Sequence, residues 1–115
     1  MRYLLLLTTE ESDDEARSPE EAQALFGEYV AFGEEMGRRG VLLGGERLRP
    51  TSDATSVRVR SGETLTTDGP YAETKEQLAG YYMVDCKDLD EAIAVAAQIP
   101  GARMGTVEVR PIWET

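Results

Sequence analysis

The chain has 115 residues, enough for a single domain spanning residues 1–115 that buries roughly 65% of the surface its unfolded form exposes, and too few for a second. With 41% apolar and 30% charged residues it has the balance of a soluble globule, and no apolar run is long enough to span a bilayer. Its net charge of −10, from 22 acidic against 12 basic residues, repels a phosphate backbone and argues against direct nucleic-acid binding.

Residues 2–8, Arg-Tyr-Leu-Leu-Leu-Leu-Thr, read as a strand with apolar residues on both faces. Residues 9–17 carry Glu10, Glu11, Asp13, Asp14 and Glu15 and read as a solvated acidic loop. Ser18-Pro19-Glu20-Glu21 announces a helix, with Ser18 as N-cap, Pro19 at the first helical position and Glu21 closing a capping box. Ala22, Leu25, Phe26, Tyr29, Val30, Phe32 and Met36 recur at the spacing of a core-facing stripe, and Arg38-Arg39-Gly40 ends the helix. Residues 41–43 form a second strand that runs into Gly44-Gly45, a pair that lets the backbone approach a neighbouring side chain or a ligand. Residues 55–60 and 63–66 alternate as strands on either side of a two-residue turn, Ser61-Gly62.

Thr67-Asp68-Gly69-Pro70-Tyr71-Ala72-Glu73-Thr74-Lys75-Glu76 places a sharp reversal before a cluster of charges. Asp68 is suited to bonding its own downstream backbone, Gly69 to a positive φ, and Pro70 stops strand pairing. Residues 78–86 then make a strand, Asp88 caps a helix whose buried stripe is Leu89, Ala92, Ile93, Ala96 and Ala97, and Pro100-Gly101 ends it. Residues 105–110 are the last strand, closed by Pro111. Strand, helix, strand, inserted hairpin, strand, helix, strand is an α+β order of two β-α-β units in tandem, the ferredoxin-like arrangement. Two helices cover one face of such a sheet, so the two-sided apolar strands predict that a homodimer covers the other, sheet against sheet.

The chain has no histidine and one cysteine, Cys86, which rules out Ser-His-Asp and Cys-His pairs, His-ligated haem and the usual zinc ligand sets. No glycine-rich phosphate loop opens either helix, so neither a cofactor nor a metal is expected. Cys86, at the end of an apolar strand, reads as a buried structural thiol. The charged candidates are Asp68, Glu73, Lys75 and Glu76, the hairpin's Arg58 and Arg60, and Glu108 and Arg110, which share one face of the last strand. Asp68 is open to two readings, a turn cap and a partly desolvated acid or base; Glu73 and Lys75 are either a salt-bridged connector or part of a site. Tyr81 and Tyr82 point to opposite faces of their strand, one into the core and one free to offer its hydroxyl to a pocket.

The Asp68–Glu76 segment resembles the signature of the DGPF proteins of the YCII-related family, Asp-Gly-Pro-Phe-Ala-Glu-Thr-Lys-Glu, with Tyr71 in place of the phenylalanine. More loosely the resemblance takes in residues 2–8, Gly44-Gly45-Glu46, residues 57–60 and residues 107–111. It implies a dimeric α+β barrel and a setting beside extracytoplasmic-function sigma factors. Some YCII-related proteins are proposed to use a His-Asp pair; here Asp68 has no histidine to partner it. The expected protein is a cytoplasmic, homodimeric binding or accessory module taking a small anionic organic ligand, with Arg110, Glu73, Lys75, Tyr81 and Gly45 around it. The alternative is a small isomerase, lyase or cofactor-free oxygenase in which Asp68 is the general acid or base.

Overall fold

The computed structural model describes residues 1–114. Four antiparallel strands, β1 (Arg2–Thr9), β2 (Leu42–Arg47), β5 (Gln77–Asp85) and β6 (Thr106–Pro111), form one sheet in the order β2-β5-β1-β6. A hairpin of β3 (Thr55–Arg60) and β4 (Glu63–Asp68) stands apart as a second, two-stranded sheet. Three helices complete an α+β fold: α1 (Glu11–Ala16), α2 (Pro19–Arg38) and α3 (Leu89–Ala96).

The strand alternation decides which side is packed. Along β1, Tyr3, Leu5, Leu7 and Thr9 are buried, while Leu4, Leu6 and Thr8 are only half-buried. Cross-strand partners share a face, so Leu5 sits with Tyr82 and Val109, and Tyr3 with Val84, on the helix side. There Phe32 and Met36 of α2, and Ala92, Val95 and Ala96 of α3 with the following Ile99, close one core. The other side presents Leu4, Leu6, Tyr81, Met83, Glu108 and Arg110, and among the described residues the helices contribute their buried side chains to the opposite side.

Both long caps form as their sequences dictate. Ser18 Oγ accepts from the Glu21 amide at 3.1 Å while the Ser18 amide donates to Glu21 Oε1 at 3.2 Å, and Asp88 accepts from the Glu91 amide at 2.9 Å. Ser61 and Gly62 adopt φ of 52° and 78°, the two left-handed positions of a tight hairpin turn. Three expectations are corrected. The acidic segment folds into the short helix α1, and β1 reaches Thr9. On α3, Leu89, Ile93 and Ala97 face outward while Val95 and Ile99 join Ala92 and Ala96 in the core, a stripe of the same helical period in a different phase. On α2 only Phe32 and Met36 are buried; Phe26 is 64% exposed and Val30 43%, so the N-terminal half of the stripe overhangs the sheet without closing on it.

Candidate functional site

The overhang leaves a cavity of about 400 Å³. Leu25, Phe26, Tyr29 and Val30 of α2 form its roof, and its floor is Leu7, Gly45, Gly80 and Tyr82. Two of the floor residues are glycines because the backbones of β2 and β5 approach too closely for a side chain. A Cβ on Gly45 would lie 2.6 Å from the Tyr81 carbonyl oxygen, and one on Gly80 would lie 2.8 Å from that of Glu46. The close pairing of β2 and β5 thus also empties the space above them.

Two phenols give this apolar space its polar tips. Tyr82 packs edge-on against Phe32, ring centroids 5.0 Å apart, and burial, then the neighbouring Tyr29, raises its pKa above that of an ordinary tyrosine. Burial likewise raises Tyr29, against a weaker opposing hydrogen bond from the Gly101 backbone. At the mouth stands Arg17, its side chain only 16% exposed, paired with Asp14 and with Nη2 3.1 Å from the Met104 sulfur. A thioether is a weak acceptor, so the guanidinium keeps donor capacity beyond its pair with Asp14.

The expected site residues divide between several places. Gly45 lines the cavity, and Tyr81 borders it beside Gly45 with its backbone carbonyl, while its position on β5 is on the open sheet face. Arg110 lies on the open sheet face, opposite Leu4 and paired with Glu108 at 3.0 Å. Asp68, the last residue of β4, is exposed and lines neither this cavity nor a second one at the base of the hairpin. The turn after it is held by other groups: the Gly69 amide donates to the Ala54 carbonyl at 2.7 Å, and Ser56 Oγ donates to the Gly69 carbonyl at 2.8 Å. Gly69 takes φ of 100°, the conformation for which glycine was expected there.

The signature's remaining polar groups fasten the hairpin base to the body. Thr8 Oγ1 donates to Glu76 Oε1 at 2.8 Å, Lys75 lies 3.6 Å from Glu10, and Thr74 bonds the Glu76 carbonyl. Glu11 of α1 accepts from both the amide and the hydroxyl of Thr51, at 2.7 and 2.9 Å, while its own amide donates to Gln77. Glu73 is exposed and lines neither cavity. The second cavity, about 470 Å³, lies under Pro70, Tyr71 and Ala72 beside Leu48 and Leu78.

Arg17, Tyr29 and Tyr82 therefore share the lining with the charged Asp14, Glu46 and Arg47, and sequence reasoning had passed over Arg17. Its signal was present as the one cation of an otherwise acidic run, one residue before the N-cap of α2.

The profile of the YCII-related domain matches residues 1–115. The chain belongs to the YCII-related family. It is also 40% identical over 114 residues to the uncharacterized protein R00369 of Rhizobium meliloti (strain 1021), an alignment covering 97% of this chain and 92% of that protein. Among the described residues of this YCII-related chain, no cluster of three or more His, Cys, Asp or Glu side chains is arranged to hold a metal ion, and no helix is long and apolar enough to cross a membrane.

Proposed function

We propose that this YCII-related protein is a homodimeric small-molecule-binding module that holds a small organic anion in the cavity beneath α2. The observation that carries the reading is that Arg17, its side chain only 16% exposed, lines one largely apolar cavity together with Tyr29 and Tyr82. An apolar enclosure with a few converging polar groups is the usual form of a ligand site, and a guanidinium drawn out of water selects carboxylates by its planar fork. This moves the cation of the site from Arg110, which lies on the open sheet face, to Arg17, which lines the cavity with its partner Asp14.

The strand order β2-β5-β1-β6 with helices on one face supports a ferredoxin-like subunit, and the uncovered Leu4, Leu6, Tyr81 and Met83 support packing of two sheets into a dimeric α+β barrel. An interface above about 1,200 Å² is expected on that reading. A setting beside a sigma factor enters only through the resemblance to DGPF proteins.

Calorimetric titration with a panel of aryl and branched-chain carboxylates tests the site. Arg17→Met should weaken the best binder by about 2 kcal/mol or more, since the anion loses its partner in a poorly hydrated space. Arg110→Met should leave its affinity unchanged. Equal affinities for the wild type and Arg17→Met would remove Arg17 from the site.

A further inference from the structure

The β3–β4 hairpin is a structure that cannot account for its own stability. Eleven of its twelve strand residues are exposed, Ser56 at the base being the exception, and it pairs with no other strand. Isolated two-stranded hairpins are marginal in water. The register puts Val57 opposite Thr66 and Val59 opposite Thr64, so one face is an unbroken patch of β-branched side chains with Val57 and Val59 at 60% and 59% exposure. The opposite face carries Arg58, Arg60 and Glu63.

Two whole-chain quantities say that the missing cover is large. A compact monomer of 12.7 kDa exposes about 6,200 Å². This chain exposes 8092 Å², and the surplus of about 1,900 Å² exceeds the roughly 800 Å² each partner contributes to an ordinary stable interface. Its radius of gyration is 16.0 Å where about 13 Å is expected, and it measures 47 × 44 × 19 Å. The open sheet face accounts for one uncovered surface; the hairpin is another.

Charge identifies the occupant. With Arg58 and Arg60 against Glu63, residues 55–67 carry a net +1 within a chain of net −10, which leaves −11 on the remainder. Neither arginine takes part in the ion pairs of the described residues, and Arg60 reaches only the carbonyl of Val59. A basic projection on an acidic body is self-complementary between two copies.

Resting on the homodimer proposed above, we infer that the hairpin is an arm that reaches across to a second copy of the chain, laying the Val57–Val59 face on the partner and its two arginines against the partner's acidic surface. The base of the arm is fixed for this task. Glu11 holds Thr51, and Glu76 holds Thr8, on either side of the hairpin, so the arm leaves the body at a set angle.

Analytical ultracentrifugation of the full chain over a range of concentrations tests this, with Val57→Glu/Val59→Glu altering one face of the arm and Arg58→Glu/Arg60→Glu the other. Because these side chains are exposed within the chain, circular dichroism of both variants should match the wild type. The valine pair should raise the dimer dissociation constant by about 100-fold or more, and the arginine pair by about tenfold at low salt, with the difference shrinking as salt is added. Amides of residues 55–67 should exchange slowly in the dimer and fast on dilution to monomer. A wild-type dimer that both variants leave within twofold, or arm amides that exchange fast in it, overturns the arm while leaving sheet-to-sheet packing intact. A wild type that is monomeric at micromolar concentration overturns both.

Discussion

Glu11 and Asp68 are both carboxylates in segments that read as polar connectors, yet the structure uses them in opposite ways. Glu11 accepts two hydrogen bonds from Thr51 and ties α1 to the base of the hairpin, whereas Asp68 stands exposed beside a turn that Ser56 and Ala54 already hold. Glu11→Ala should therefore cost about 2 kcal/mol in urea unfolding, since it leaves a half-buried amide and hydroxyl without their charged acceptor. Asp68→Ala should stay within about 0.5 kcal/mol of the wild type. A larger loss at Asp68 than at Glu11 would reverse this assignment. The local chemistry of Asp-Gly-Pro was legible in the sequence, down to the positive φ of Gly69, but the choice of side chain that holds the turn was not. Ser56 lies thirteen residues from Gly69, and only the pairing of β3 with β4 brings them together.

Cys86 and the two cavity tyrosines make a second point at the residue scale. Cys86 is buried, and burial followed by the adjacent Glu91 raises its pKa, as a structural thiol at a strand end should show. Tyr29 and Tyr82 also have raised values, so each favours the neutral phenol in the folded state. Their contribution to stability is complete below the ordinary tyrosine pKa of about 10 and is lost as pH rises through the higher folded values. An ultraviolet titration should show these two ionising above the ordinary tyrosine value of about 10, and together with alkaline unfolding. Early ionisation of Tyr29 and Tyr82, read through Tyr→Phe variants, would show that the cavity is wetter than its lining implies.

At the scale of elements, periodicity predicted where α2 runs and which stripe is apolar, and the capping box fixed its start. What periodicity lacks is the distance between helix and sheet. Leu25, Phe26, Tyr29 and Val30 have the spacing of core residues, but beneath them the sheet offers the glycines Gly45 and Gly80 beside Leu7 and Tyr82, too few side chains to fill the space. A stripe over a glycine floor is a cavity roof, and the same stripe over Leu5 and Val84 is a core, as Phe32 and Met36 show further along the helix. On α3 the buried residues Ala92, Val95, Ala96 and Ile99 also keep a helical spacing, but one that leaves Leu89 and Ile93 outside it.

At the scale of the whole molecule, a net charge of −10, a flat two-layer body and an exposed hairpin describe a chain that leaves two apolar surfaces uncovered, the open sheet face and the arm. The sequence announced the first, because Leu4 to Leu7 cannot all face one side of a strand. It announced the second only as an alternating hairpin, since nothing in residues 55–66 tells whether a partner strand lies beside them. The cavity is separate from both surfaces, between α2 and the helix side of the sheet, so ligand binding and assembly are open to independent measurement. The most direct test of the ligand site is an amide NMR titration of the isotope-labelled protein with the carboxylate panel. The account predicts saturable shifts clustered at Arg17, Gly45, Gly80, Tyr82 and Gly101, around the cavity beneath α2. Shifts confined to residues 68–76, or to Glu108 and Arg110 on the open sheet face, would contradict it.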